Sequence, residues 1–151
     1  MKKFRLSVVV LTIIAVLCSV LLFTACTKDE GLADNESFTI VIDDNGAFTE
    51  YTVKGSEAKT VEKALKLLSE KEDNFVFSET GGFINEVGTL KNDAAANAYI
   101  MIYTSVEKDF DVSQYATTTD YKGVTLTSSG FGFKDMHVEE GAIILFKVVK
   151  F

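Results

Sequence analysis

The stretch Asn97-Ala-Tyr-Ile-Met-Ile-Tyr-Thr-Ser105 decides how this chain is expected to fold. Its middle, from Tyr99 to Tyr103, is a continuous apolar run with polar residues on both sides. A strand with one solvated face alternates polar and apolar residues, whereas a continuous run suits a strand that is covered on both faces. We therefore predict that this stretch is the central strand of a sheet and that the earlier elements pack onto it.

Upstream of this run, two patterns predict a hairpin and a helix. Residues 37–54 alternate on either side of Asn45-Gly46, a strong hairpin signal because both residues tolerate positive φ. Thr60 then caps a helix that ends near Glu70, and its apolar residues repeat at the spacing of one helix face. These apolar residues are Val61, Ala64, Leu65 and Leu68.

Further apolar segments predict the remaining strands. Phe75–Phe77 and Phe83–Val87 form short pieces, Val124 and Leu126 form a strand within a polar segment, and Ile143–Phe151 is the last strand. A hairpin, one helix and then mixed strands predict a single α+β domain with one layer of helix on one sheet. The same element order is that of a β-grasp fold, a mixed sheet with one helix packed across it.

The first 25 residues have the order of parts of a bacterial secretory signal. A basic start is followed by the uncharged apolar run Leu6–Phe23 and then by small residues before Cys26. This ending resembles a lipobox, which implies cleavage before Cys26 and acylation of its sulfur. The alternative is an uncleaved membrane anchor, since Leu6–Ala25 is just long enough to span a bilayer. Both interpretations place the rest of the chain outside the cell.

We therefore divide the chain into three parts: a lipoprotein signal peptide (1–25), a lipidated tether (26–36) and the domain (37–151). The predicted location is the outer face of the cytoplasmic membrane, with the domain exposed to the cell exterior. Two acyl chains on one cysteine suffice for stable anchoring. Once Cys26 is acylated, the domain contains no cysteine and depends on its core alone.

The exported chain is strongly acidic. Removing residues 1–25 takes away Lys2, Lys3 and Arg5 and no acid, so the formal charge changes from −7 to −10. A protein of this charge repels phosphate backbones and anionic lipid head groups. We therefore expect no nucleic-acid partner, and we expect membrane attachment to come from the lipid.

Residues 37–150 resemble the DUF4430 family, also described as transcobalamin-like. The resemblance is carried by the order of Phe38-Thr-Ile-Val-Ile, Asn45-Gly46, Thr60-Val-Glu-Lys-Ala-Leu65, Tyr99–Ser105 and Val138-Glu-Glu-Gly141. Members are often secreted or lipid-anchored proteins of Gram-positive bacteria. The resemblance implies a β-grasp fold, and it implies cobalamin or a related tetrapyrrole as a ligand.

No residue pattern predicts catalysis. His137 is the only histidine, and it lies beside charged residues near a turn, where a surface role is the expected one. Asp109 to Asp120 follow the spacing of a calcium loop, but Gln114 stands where such a loop needs glycine. We therefore expect no metal site and no enzymatic activity.

The aromatic residues are the remaining candidates for a binding site. If loops 81–88 and 107–133 form the rim of a cleft beside the central strand, we expect aromatic side chains to line it. The candidates are Phe83, Tyr99, Tyr103, Tyr115, Phe131 and Phe133. The prediction is a non-catalytic, lipid-anchored module that captures a corrinoid or related tetrapyrrole. The alternative is a protein-interaction or adhesion domain, which predicts an exposed sheet edge or a flat apolar patch instead of a cleft.

Overall fold

The computed structural model describes residues 32–151; the predicted signal peptide and Cys26 lie outside the described residues. Residues 32–151 belong to one compact unit, which is mostly β-structure with mixed sheets and one α-helix among the described residues. This agrees with the predicted single α+β domain. No helix between residues 32 and 151 is long and apolar enough to cross a membrane.

The predicted elements occur in the predicted order. The one α-helix of the described residues, α1, is Val61–Lys71. The strands are β1 (Ser37–Asp44), β2 (Ala47–Lys54), β3 (Val76–Thr80), β4 (Phe83–Gly88), β5 (Leu90–Lys91), β6 (Ala98–Thr104), β7 (Thr118–Tyr121), β8 (Val124–Ser128) and β9 (Ile143–Lys150). Two short strands, β5 and β7, were not predicted, and the strands form two sheets instead of one.

The predicted hairpin and helix are both confirmed, with the predicted local chemistry. Asn45 and Gly46 have φ angles of 55° and 92°, so they form the tight turn that joins β1 and β2. At the start of α1, the Thr60 hydroxyl accepts a hydrogen bond from the Lys63 N–H at 3.2 Å. The predicted apolar face of α1 is buried.

The strands form two sheets. The large sheet has the order β2-β1-β9-β6-β8-β7, and the small sheet has the order β3-β4-β5. Strands β1 and β9 are parallel, whereas every other strand pair in the described residues is antiparallel. The large sheet is therefore mixed, with its one parallel pair near the middle.

The prediction that Tyr99–Tyr103 is the strand covered on both faces is wrong in part. Strand β6 does lie inside the large sheet, but Tyr99 is exposed and β8 pairs only with Tyr103 and Thr104. The strand buried on both faces is β9, where Ile144, Leu145 and Phe146 are all fully buried. The difference arises because β8 meets only the end of β6. The outer side of its first half is met by Asn92 and Asp93: the Ile100 N–H donates to Asn92 Oδ1, and the backbones of Asp93 and Ala98 exchange hydrogen bonds.

The two faces of the large sheet have separate cores. The first face carries Phe38, Ile40 and Phe146 and is covered by α1, the small sheet and part of segment 129–142. On the second face, Val41 and Leu145 pack with Tyr121 and Leu126 of the β7–β8 hairpin. The sheet is curved enough that the tip of this hairpin reaches β2 at the opposite edge, where the Phe48 and Tyr121 rings meet edge to face.

The folded part begins earlier than predicted. Leu32 lies within the predicted tether (26–36), yet its side chain is 2% exposed and belongs to the first core. The N–H of Gly55, just after β2, donates to the Glu36 carbonyl at 2.9 Å. The end of the predicted tether is therefore packed against the domain, so fewer residues remain to connect the domain to an anchor at Cys26.

Candidate functional site

Two of the six aromatic candidates for ligand binding are core residues. Phe133 is 1% exposed and meets Phe77 edge to face in the first core. Tyr103 is buried in the second core, and its hydroxyl lies 3.2 Å from the Thr117 hydroxyl. Neither ring is available to a ligand on the surface, so we assign both residues to packing.

The other four candidates are exposed at separate positions. Phe83 follows the turn between β3 and β4, Tyr115 lies in the loop before β7, and Phe131 lies beside the His137 ring. Tyr99 lies at the start of β6, with its ring 6.4 Å from that of Phe151. Of the six aromatics, two are therefore core residues and four are exposed, and capture of a corrinoid stays a prediction.

An exposed apolar strip lies on the second face of the large sheet. Tyr99 and Met101 of β6 alternate onto this face, and the register places Val149 of β9 opposite Tyr99. Phe151 extends the strip past the end of β9. The strip is at the end of the sheet opposite Leu32, because β6 starts where β1 ends. Met101 and Val149 are half-buried against the second core, so the exposed part of the strip is small, and it carries no functional argument by itself.

The structure joins Asp109 and His137, a pair that sequence reasoning did not identify. The Asp109 side chain is fully buried, and its two oxygens contact the same residue. Oδ2 accepts the backbone N–H of His137 at 2.7 Å, and Oδ1 lies 2.6 Å from Nδ1 of the ring. Because 28 positions separate the two residues, no local pattern could have revealed the pair.

This pair ties two loops together. Asp109 lies in the turn after β6, and His137 belongs to the segment before β9. The Gly130 N–H also donates to the Asp109 carbonyl at 2.9 Å, so the same residue holds this segment at two places. These hydrogen bonds make the pair a structural tie between the two loops. The described residues contain no group of three potential metal ligands.

The most distinctive surface of the large sheet is the outer edge of β2. The Thr39 N–H donates to the Ala142 carbonyl at 2.8 Å, so odd-numbered residues of β1 point their backbone groups at β9. The alternation of an antiparallel ladder then directs the backbone groups of Phe48, Glu50 and Thr52 away from β1. No backbone group of another described element bonds to these three residues. We call this row of backbone groups the open edge.

The other outer strands are protected or short. Strand β7 has four residues, and β5 has two. Strand β3 carries a bulge between Ser78 and Glu79, a device that discourages pairing with another chain. Strand β2 has eight residues and an unbroken register with β1. Among the described strands, β2 is therefore the one long, regular strand that remains free on one side.

A pocket of about 510 Å³ adjoins this strand on the first face of the sheet. The Tyr51 ring of β2 meets the Phe75 ring edge to face at 5.1 Å, and Phe75 is part of the pocket wall. The wall consists of Ser69, Glu70, Glu72, Asp73 and Phe75 to Phe77. We call it the acidic pocket, because its three carboxylates have no salt-bridge partner among the described residues.

The negative charge of the acidic pocket affects the pKa of a tyrosine in β2. Burial raises the pKa of the Tyr51 hydroxyl above its usual value, and the nearby Glu72 carboxylate raises it further. Both causes disfavour the phenolate, by removing water and by adding negative charge. Tyr51 is therefore within electrostatic reach of the pocket.

On the second face, an ion pair joins β2 to the tip of the β7–β8 hairpin. Lys122 Nζ lies 2.6 Å from Glu50 Oε1. Lys122 first, and Tyr121 second, lower the pKa of the Glu50 carboxyl below its usual value. The ion pair holds the hairpin tip against β2 and leaves the open edge uncovered.

The pKa shift of Glu50 predicts a pH dependence. A lowered folded-state pKa contributes stability above the pKa of the unfolded chain, and this contribution is lost as the pH falls through the lowered value. We expect the Glu50 carboxyl, followed by NMR, to titrate below the usual glutamate value. In Lys122→Met the midpoint should move up toward that value. An unchanged midpoint in the variant would show that Lys122 is not the cause.

No protein-family model and no curated protein matches this chain. The resemblance to the DUF4430 family therefore stays a prediction, and the geometry of the described residues carries the functional argument.

Proposed function

We propose that this protein is a lipid-anchored, non-catalytic surface domain that binds a partner protein by adding a strand of that partner to β2. The observation that carries the proposal is the open edge. Backbone N–H and C=O groups at a sheet edge form hydrogen bonds with any extended chain of suitable register. Sheets in secreted proteins usually protect such an edge, and here the other outer strands of the described residues are short or bulged.

The proposal includes the fold and the location. A hairpin, a helix on one face and a C-terminal strand parallel to β1 support a β-grasp assignment. The lipobox-like sequence before Cys26 supports an anchor at the outer face of the cytoplasmic membrane. Leu32 is six residues after Cys26, which limits the connection to about 20 Å. The domain is then held near the membrane.

Proline at an outward-facing position tests strand addition. The Thr52 N–H points away from β1, so Thr52→Pro removes a donor of the open edge without removing a β1–β2 hydrogen bond. A photo-crosslinking amino acid at exposed Thr49 in native cells is expected to trap one discrete partner. This product should disappear in Thr52→Pro and persist in the matched variant Thr52→Val.

Two further measurements make this experiment specific. Circular dichroism should show the same sheet content in both Thr52 variants. When the crosslinker is placed instead at Thr125, an exposed residue of β8, it should trap much less of the same partner. Equal trapping at Thr49 and Thr125, or a product insensitive to Thr52→Pro, would contradict binding through the open edge.

A further inference from the structure

Resting on this proposed function, we infer the chemistry of the partner: an extended segment with a lysine or arginine that occupies the acidic pocket while its backbone pairs with the open edge. The two features belong to one surface because Tyr51, in the middle of β2, contacts a wall residue of the pocket. A partner strand therefore encounters both features together.

The register of the sheet determines where the basic side chain points. Residues directly opposite each other on paired strands share a face. Tyr51 is paired with Ile40, whose side chain belongs to the first core, so Tyr51 lies on the first face. A partner residue opposite Tyr51 consequently projects onto the face that contains the acidic pocket. Its neighbours on the partner strand project onto the other face, near Glu50 and Thr52.

The walls of the acidic pocket suit a long cationic side chain. Exposed Val76 and half-buried Phe77 offer apolar surface along which a lysine or arginine stem packs. Glu70, Glu72 and Asp73 place three negative charges around the same space. An arginine has the further advantage that it binds a carboxylate through two parallel hydrogen bonds.

Charge also argues against a second copy of this chain as the occupant. Each exported chain carries a formal charge of −10, so two copies repel each other. The pocket carboxylates would remain unneutralised unless the added strand brought a cation to them. A basic segment is not repelled, and its cation neutralises the pocket carboxylates. Its charge also attracts it to the acidic domain before contact.

Defined peptides test this inference on the full-length chain in detergent. The probe is a fluorescein-labelled nonapeptide in which valine and threonine alternate around a central arginine; its twin has glutamate at the centre. By fluorescence anisotropy, the arginine peptide should bind about tenfold more tightly than its twin, equivalent to 1.4 kcal/mol. A third peptide, N-methylated at alternate residues, should lose binding because its backbone no longer donates to the open edge.

Variants of the pocket separate the basic side chain from the backbone pairing. The triple variant Glu70→Gln, Glu72→Gln, Asp73→Asn should weaken the arginine peptide about tenfold. The affinity of the triple variant for the glutamate peptide should be unchanged or higher. A matched control is Glu139→Gln, which neutralises an exposed carboxylate in the segment before β9. This control should leave both affinities within about twofold.

The possible results distinguish this inference from the proposed function. Binding that requires the open edge but is equal for the two peptides would overturn the basic partner and leave strand addition standing. Absence of binding, or equal binding of the N-methylated peptide, would overturn both proposals. A dimer in sedimentation velocity that Thr52→Pro dissociates would identify a second copy as the occupant and overturn the basic partner.

Discussion

Replacing Phe133 by alanine is expected to lower the free energy of unfolding by about 3 to 5 kcal/mol, because the ring is fully buried in the first core. The change removes the edge-to-face contact with Phe77 and leaves a cavity between β3 and the segment before β9. Urea unfolding of the full-length chain in mild detergent, followed by circular dichroism, measures the loss.

The matched control is Phe83→Ala. Phe83 is the same residue type and was predicted from the same aromatic pattern, but its side chain is 78% exposed. Its replacement should change the free energy of unfolding by less than about 0.5 kcal/mol. If the two variants were equally stable, Phe133 could not be the packing residue described above, and a ligand-contacting role for it would be favoured.

Removing the Asp109 side chain is the second change with a large expected effect. Asp109→Ala leaves the His137 N–H without its acceptor and opens the tie between the turn after β6 and the segment before β9. Losing the acceptor of a buried donor costs about 1 to 3 kcal/mol, and the Nδ1 contact adds to this. We expect a total loss of about 2 to 4 kcal/mol in the same urea experiment.

Two comparisons show whether this loss comes from the tie. Asp109→Asn keeps one oxygen for the His137 N–H and offers an amide to the ring nitrogen, so more than half of the stability should return. Asp135→Ala removes an exposed carboxylate from the same loop region and should have little effect. Equal stability of Asp109→Ala and Asp135→Ala would rule out a structural role for the Asp109 side chain.

Local patterns predicted the elements whose chemistry is local. The turn at Asn45-Gly46 and the Thr60 cap depend on residues within a few positions of each other, and both are found. Strand β8 was predicted from Val124 and Leu126, but its hairpin partner β7 was not, although the turn signal between them is similar. Lys122-Gly123 forms a tight turn with positive φ at both residues, but the flanking threonines do not make one side clearly apolar.

The candidate surfaces needed the tertiary structure. Phe131 and Phe133 are two positions apart in the same stretch of sequence. The Phe131 ring is nevertheless exposed, whereas the Phe133 ring is buried. The acidic run at 70–73 had the pattern of a solvated helix end. The tertiary structure brings these residues close to β2, where the Tyr51 ring meets the Phe75 ring. Burial and pairing across the chain are the two properties that a single sequence does not contain.

The position of β9 has a consequence for the biosynthesis of the protein. This strand, Ile143–Lys150, bridges β1 and β6, so the large sheet has no centre until residues 143–150 are in place. Contacts between strands as far apart in sequence as β1 and β9 form slowly because a long loop must close first. Until residues 143–150 have been synthesised, the emerging chain therefore cannot complete its large sheet. A chain truncated before Ile143 would expose the inner sides of two strands and become a substrate for proteases rather than a shorter domain.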